Sequence, residues 1–320
     1  VSIDTHPAPV QLQEVVVNRA TPKEPVVGRV VGTRLCTAGR KAAAFVRHVE
    51  IDVSDTPLAG AFRAGQSFGV VPPGKDATGK PHRVRLYSLS SPTRGEDGQG
   101  NVISTSVKRV IDEDWKTHKL FVGLCSNYLA DLDVGDEVQV TGPNGKRFVL
   151  PTNPRDYNYL FFATGTGIAP FRGMTHDLIE AGCGNQIVLI AGSPYTTDLI
   201  YHDEFLNLAA QHKNLRYFTA ISRERQSDGH DRMYVDGRMH TERDELIPLL
   251  ARPNTLIYIC GLSGMEVGIY RQLATHLTGS DLARYLEVDG ATLANLLAWD
   301  RKTIASKVRK TDRVFTEVYD

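Results

Sequence analysis

At 320 residues, with 41% hydrophobic and 23% charged residues, the chain has the length and balance of two ordinary globular domains. Its 37 basic residues offset its 37 acidic ones, so no bulk field argues for nucleic acid, and no apolar run is long enough to span a bilayer. The four cysteines Cys36, Cys125, Cys183 and Cys260 form no C-x-x-C pair and suit neither zinc nor iron–sulfur ligation, so no metal is expected here and any such centre belongs on a partner.

Residues 1–25, with Pro7, Pro9, Pro22 and Pro25, read as an irregular arm. The chain begins with Val1, which fits processing or excision from a longer polypeptide. No secretory signal is visible, and free thiols suit a reducing, cytoplasmic setting.

Residues 26–153 are strand-like and rich in turns. The segments 26–31, 46–53 and 66–71 alternate or run apolar between Gly, Pro and Asp clusters, and a further strand is expected over 134–140 before the turn at Gly142-Pro143. Many short strands with little helix predict an antiparallel β-barrel. From residue 154 to 320 the rhythm changes. The short apolar runs 159–163, 187–191 and 256–260 each end at glycine and lead into a helical pattern, which predicts a doubly wound α/β domain with ligands at the carboxyl ends of its strands.

Several segments carry candidate chemistry. In Arg85-Leu86-Tyr87-Ser88 a guanidinium suited to phosphate, a flat phenol and a hydroxyl follow one another on extended backbone; the same residues also fit an ordinary half-exposed strand. Ser106-Val107-Lys108-Arg109 is a second cationic strand. Gly123-Leu124-Cys125-Ser126-Asn127-Tyr128-Leu129 reads as a turn feeding a short helix, with Ser126 and Asn127 as N-cap types where backbone N–H groups hold phosphate. Thr164-Gly165-Thr166-Gly167-Ile168-Ala169-Pro170 joins a predicted strand to a predicted helix, with glycines for close phosphate approach and a proline that presets the first helical turn. Ser222 and Arg223, with Arg232 and Tyr234 nearby, offer a pocket for a 2′-phosphate and a stacked adenine; no acidic ribose ligand stands at the strand end, which favours NADP over NAD. Taken alone, Cys260 reads as a small core residue, and Glu317 and Tyr319 as part of a polar terminal strand.

The order and spacing of these segments, from residue 26 to 319, resemble those of plant-type (plastidic) ferredoxin–NADP reductases. The resemblance implies an FAD-dependent enzyme: hydride transfer between nicotinamide C4 and flavin N5, then single electrons to ferredoxin or flavodoxin. It implies that Arg85 contacts the FAD pyrophosphate, Tyr87 stacks on one flavin face and Ser88 lies near N5. Ser126 would hold FAD phosphate and Lys108 the adenosine end. Thr166 and Gly167 would receive NADP, and Ser222, Arg223, Arg232 and Tyr234 its 2′-phosphate and adenosine. Cys260 would sit beside the nicotinamide with Ser88 and Glu317, while Tyr319 covers the second flavin face and gives way to nicotinamide. The same motifs add Leu86, Ser106, Leu124, Cys125, Pro170, Gly261 and Leu262 to the expected cofactor-binding residues.

Three departures stand out. Asp112 occupies the position where the plant enzymes stack a tyrosine on the FAD adenine, Asp320 follows Tyr319 where the plant chains end, and Arg232 replaces a lysine. They suggest a bacterial relative. An oxygenase-feeding reductase, such as that of an aromatic acyl-CoA epoxidase system, shares the chemistry and stays open, as does a non-catalytic nucleotide-binding module. The basic stretch Arg301, Lys302, Lys307, Arg309, Lys310 and Arg313 is either a docking face for an acidic carrier or a solvated helix face.

Overall fold

The computed structural model describes residues 9–39 and 41–319. Asp320 lies outside them. The first half is built on β1 (Val26–Leu35), β2 (Val46–Asp52), β3 (Ser67–Val71), β4 (Arg85–Ser88), β5 (Val102–Lys108), the small hairpin β6 (Ile111–Glu113) and β7 (Leu120–Val122), helix α1 (Leu124–Asp131) and β8 (Glu137–Asn144). Six of these strands pair antiparallel in the order β4-β3-β8-β1-β2-β5. The sheet curls until its end strands meet: Ser90 N donates to Ser104 O at 2.8 Å, and Thr105 Oγ1 to Ser88 O at 2.8 Å. Alternate residues such as Val49, Ile51, Phe68, Val70, Val138 and Val140 fill the inside, and Leu129 of α1 packs among them. The last strand starts three residues later than the alternation predicts. Gly135 sits at φ 102°, so residues 134–136 turn, and the strand continues through the predicted turn at Gly142-Pro143 to Asn144.

The second half is a five-stranded parallel sheet in the order β11-β10-β9-β12-β15, formed by β9 (Asn158–Thr164), β10 (Ile187–Ser193), β11 (Leu215–Ile221), β12 (Thr255–Leu262) and β15 (Val314–Tyr319). Along β9, Tyr159 and Phe161 face Phe171 of α2 (Ala169–Glu180) and Phe205 of α3 (His202–Gln211). Leu160 and Phe162 face the opposite layer, with Met239 of α4 (Arg238–Thr241), Leu246 and Leu250 of α5 (Arg243–Ala251) and Ile269 of α6 (Met265–His276). Burial on both faces is why these strands read as continuous apolar runs. Between β12 and β15 lie α7 (Gly279–Ala283), β13 (Leu286–Val288), α8 (Gly290–Leu293), α9 (Arg301–Lys307) and β14 (Val308–Lys310). The chain winds outward from β9 through β10 to β11, then returns to β12 on the other side of β9. The carboxyl ends of β9 and β12 therefore flank the topological switch point, where such folds bind ligands.

The two halves are joined by buried polar contacts. The side chain of Arg172, on α2 and almost fully buried, donates to Glu96 Oε1 at 2.6 Å, to Glu204 Oε1 at 2.7 Å and to Ser90 O at 3.0 Å. His48 Nδ1 lies 2.8 Å from Tyr201 OH. Thr93 Oγ1 donates to Asp177 Oδ2 at 2.6 Å, and Tyr258 OH to Val149 O at 2.9 Å. Gly173 permits the close approach of α2 to the barrel, since a Cβ there would lie 2.2 Å from Ser91 O. The described residues before β1 are docked on the rest of the chain: Leu12 bridges Pro151, Ala20 bridges Gly142, and Val10 N donates to Asp312 Oδ2 at 3.0 Å.

Arg172→Met leaves the carboxylates of Glu96 and Glu204 half-buried without their cation. Urea unfolding at neutral pH is expected to show a loss of about 3–5 kcal/mol. A change below about 1 kcal/mol would mean that the joint does not depend on this ion pair.

Candidate active site

A crevice of about 1460 Å³ opens between the barrel and the carboxyl ends of the parallel strands. On the barrel side, β4 presents Arg85, Leu86, Tyr87 and Ser88 to it. Arg85 is exposed, and its Nη1 makes only long contacts with the carbonyls of Arg83 (3.4 Å) and Val84 (3.3 Å), so most guanidinium donors remain open to a ligand. Tyr87 is half-buried against Phe68, with ring centroids 6.4 Å apart, and burial keeps its phenol protonated. Ser106 and Lys108 of β5 line the same wall.

Helix α1 brings Leu124, Cys125 and Ser126 to the crevice. Its N-cap is Gly123, not Ser126 or Asn127, and no side chain caps it. Ser126 and Asn127 lie inside the first turn instead. Asn127 Nδ2 donates to Gly123 O at 2.7 Å and to Val110 O at 2.9 Å, and Ser126 Oγ accepts from Val110 N at 3.3 Å. Residue type alone pointed to a cap, but the partner, Val110, lies in the connection between β5 and β6, distant in sequence. The uncapped first-turn N–H groups suit an anion.

On the opposite wall, residues Gly165–Ile168 form a single 3-10 turn that passes into α2, with Pro170 in the first helical turn. Gly167 also answers to a nearer neighbour: a Cβ there would lie 2.2 Å from Cys260 O. The turns after β9 and β12 are thus pressed together, and Thr164 Oγ1 accepts from Leu262 N at 2.8 Å, with Gly261 between them at φ 142°. Thr166, Leu262, Glu317 and Tyr319 line the crevice here. Tyr319 OH lies 2.8 Å from Thr166 Oγ1, and its carbonyl accepts from Ser263 N at 2.8 Å.

Cys260 and Glu317 are register partners on adjacent parallel strands. Cys260 is fully buried and lies beneath the lining; burial first, then the charge of Glu317, pushes its thiol well above its ordinary value. Burial raises the Glu317 carboxyl to about 7. Ser106 Oγ, Asp198 Oδ2 and Glu317 Oε2 are buried without a protein partner, and all three residues line the crevice. An elongated ligand with both phosphates and polar ring atoms fits such a donor and acceptor set.

Farther along, Ser222 and Arg223 follow β11, their N–H groups bonded to Ser193 O and Pro194 O at 3.0 Å each. The Arg223 guanidinium lies 5.9 Å from the Tyr195 ring centroid. Ser222, Arg223 and exposed Tyr234 line the crevice, whereas Arg232 is exposed outside its lining. Asp198 and Phe121 line it too and carried no motif signal. Asp198 could have been flagged as a polar residue just beyond a parallel strand's carboxyl end. The basic C-terminal stretch is not one face: Arg313 is buried, Arg309 pairs with Glu287, and Lys310 Nζ bonds Thr316 Oγ1, while Lys302 and Lys307 are exposed.

Residues 161–270 match the model of the oxidoreductase NAD-binding domain. Over 283 residues the chain is 36% identical to the ferredoxin–NADP reductase of Thermosynechococcus vestitus, covering 86% of this chain and 72% of that relative. The chain belongs to the ferredoxin–NADP reductase family. A leaf-type chloroplastic ferredoxin–NADP reductase of Nicotiana tabacum is 38% identical over 266 residues, covering 81% of this chain and 72% of the relative. In three dimensions the chain is similar to the ferredoxin–NADP+ reductase of Plasmodium falciparum, with a TM-score of 0.69 over 94% of this chain and 99% of that one at 22% identity. That likeness extends the two-domain reductase fold to almost the whole chain. No helix among the described residues is long and apolar enough to cross a membrane.

A carboxyl raised by burial binds a proton more tightly in the folded state, so its contribution falls as pH rises from its unfolded value near 4.5 through about 7. Glu317→Gln is therefore expected to gain stability over the wild-type reductase at pH 8, on the order of 2–3 kcal/mol, and to lose that advantage at pH 5. Chemical denaturation at the two pH values checks this; a pH-independent difference would mean that the carboxylate is solvated or paired.

Proposed function

We propose that the protein is an FAD-dependent ferredoxin–NADP(+) reductase in which residues 26–153 hold FAD and residues 154–320 hold NADP(H). The observation that carries the reading is the single crevice shared by Tyr87, Ser88 and Arg85 of the barrel and Thr166, Glu317 and Tyr319 of the parallel sheet. Bound FAD supplies the two-electron exchange with a nicotinamide and the one-electron exchange with ferredoxin.

The chain's own residues bind and orient. Arg85 offers a forked cation to the FAD pyrophosphate, and the open first turn of α1 with Ser126 holds phosphate oxygens. Lys108 and Ser106 line the adenosine side; Leu86, Leu124 and Cys125 complete the apolar wall. Tyr87 covers one face of the flavin ring. Tyr319 covers the other, held by its bond to Thr166, and moves aside for the nicotinamide. Ser88, Glu317 and the buried Cys260 border that position. Glu317 keeps a proton on its carboxyl below about pH 7 and loses it above. Thr166, Gly167, Pro170, Gly261 and Leu262 shape the NADP seat at the strand ends. Ser222, Arg223 and Tyr234 receive the 2′-phosphate and adenine, and exposed Arg232 adds a cation outside the lining.

The carrier is a ferredoxin, as the names of the relatives support, and flavodoxin is a second acceptor of the same acidic kind. The setting is the cytoplasm of a bacterium, supported by the cyanobacterial relatives and four free thiols. An oxygenase-linked acceptor differs only in the last transfer.

The purified protein is expected to be yellow, to bleach anaerobically with NADPH, and to reduce cytochrome c only when ferredoxin is added. A colourless protein inert to NADPH would refute the reading, and bleaching with no transfer to any ferredoxin would favour the oxygenase-linked form. Arg223→Ala is expected to raise KM for NADPH roughly 10- to 100-fold while leaving KM for NADH within about twofold, because one charge-assisted phosphate contact is lost. Equal effects on both cofactors would remove the 2′-phosphate from this position.

A further inference from the structure

We propose that Asp198 binds the nicotinamide cofactor, its free carboxylate oxygen accepting a hydrogen bond from a hydroxyl of the nicotinamide ribose. The inference rests on the NADP(H) reading above and adds to it a residue that no motif marks. Asp198 ends the 3-10 turn Thr196–Asp198, between the carboxyl end of β10 and α3. It is 4% exposed and lines the crevice. Its Oδ1 accepts from Ala44 N at 3.0 Å, whereas Oδ2 is buried with no protein partner. A carboxylate oxygen withdrawn from water and left unmatched is costly, which calls for a donor from outside the chain.

The surroundings of the turn say which donor. On one side it is tied to the connection between β1 and β2: Ala38 N donates to Thr197 O at 2.9 Å, and Thr197 Oγ1 to Lys41 O at 2.9 Å. On the other side it is tied to the segment after β11, where Thr196 N donates to Glu224 Oε1. Ser222 N and Arg223 N hang from Ser193 O and Pro194 O of the same connection. Asp198 is therefore held between the barrel wall and the proposed 2′-phosphate seat. A dinucleotide that runs from Thr166, Glu317 and Tyr319 to Ser222 and Arg223 brings its middle to this turn. That middle consists of the pyrophosphate and the nicotinamide ribose. An ionised carboxyl group is acceptor-only and repels phosphate oxygens, so within this portion its partners are the ribose hydroxyls. A hydroxyl bonded to a carboxylate is a charge-assisted contact, stronger than one between neutral groups.

The lining next to Asp198 offers no rival. Ala44, whose N–H already serves Oδ1, and Pro194 and Ile200 on the same connection carry no side-chain donor, and all three line the crevice. One carboxyl group thus has two duties: Oδ1 ties the two halves together, and Oδ2 faces the ligand.

The test measures Kd of the FAD-loaded protein for NADP+, for NAD+ and for an NADP+ analogue whose nicotinamide ribose lacks both hydroxyls, by flavin difference spectra. Asp198→Asn keeps an oxygen for Ala44 N and turns a neutral amide toward the ligand. It is expected to raise Kd about 5- to 15-fold for NADP+, the difference between a charged and a neutral hydrogen bond, and by the same factor for NAD+, which carries the same ribose. With the analogue, Asp198→Asn and wild type should agree within about twofold, an equality that a merely structural role would not give. Wild type alone should bind the analogue about tenfold or more weakly than NADP+. This measurement decides the matter even if the variant is unstable. A wild-type difference below about twofold overturns the proposal, as does a loss in Asp198→Asn that is just as large with the analogue, which would leave Asp198 to the joint alone. A loss of FAD from Asp198→Asn with unchanged nicotinamide affinity also overturns it. Wild-type protein that binds neither NADP+ nor NAD+ would instead strike the NADP(H) reading itself.

Discussion

One buried guanidinium ties together the two halves that wall the crevice. Arg172 belongs to α2, the helix that begins at the glycine turn of the parallel sheet, yet its shortest bond runs to Glu96 of the barrel. Displacing that helix would carry the 165–168 turn, Thr166 and the seat of Tyr319 away from β4. Burial alone would raise the carboxyls of Glu96 and Glu204, but hydrogen bonds and charge from Arg172, and for Glu204 also from His176, outweigh it and bring Glu204 down to about 2. Glu204 therefore keeps its charge beside Arg172 well below neutral pH.

Glu317 shows the same physics with the opposite result. It too is a carboxylate removed from water, but it has no cation and its Oε2 has no protein partner. Glu96 and Glu204 are paired with Arg172 and low; Glu317 is unpaired and high. Such a contrast marks groups whose partner arrives from outside the chain. The adjoining Cys260 follows as a neutral thiol, kept from ionising by burial and by the carboxylate across the ladder.

Most of the architecture was legible in local sequence. Runs buried on both faces announced the parallel strands, and the glycine that ends each run marked the ligand-facing side. What escaped depended on partners far along the chain. Ser126 and Asn127 do not cap α1, because they lie inside its first turn and bond Val110 as well as Gly123 O. Gly167 has a second reason to lack a side chain, the backbone at Cys260, which only sheet order brings beside it. The basic C-terminal run looked like one face until Arg313 folded inward and Arg309 met Glu287. Asp198 and Phe121 were missed because nothing in their own neighbourhoods shows that they reach the crevice; sheet order and strand register do that.

The central claim is that Tyr87 and Tyr319 form the two sides of one slot for a flavin ring. A crystal structure of the FAD-loaded protein tests it most directly. The account predicts an isoalloxazine lying between the two phenols at roughly 3.5–4 Å from each, the separation of carbon atoms in contact. A flavin bound elsewhere, or one touching neither phenol, would contradict it.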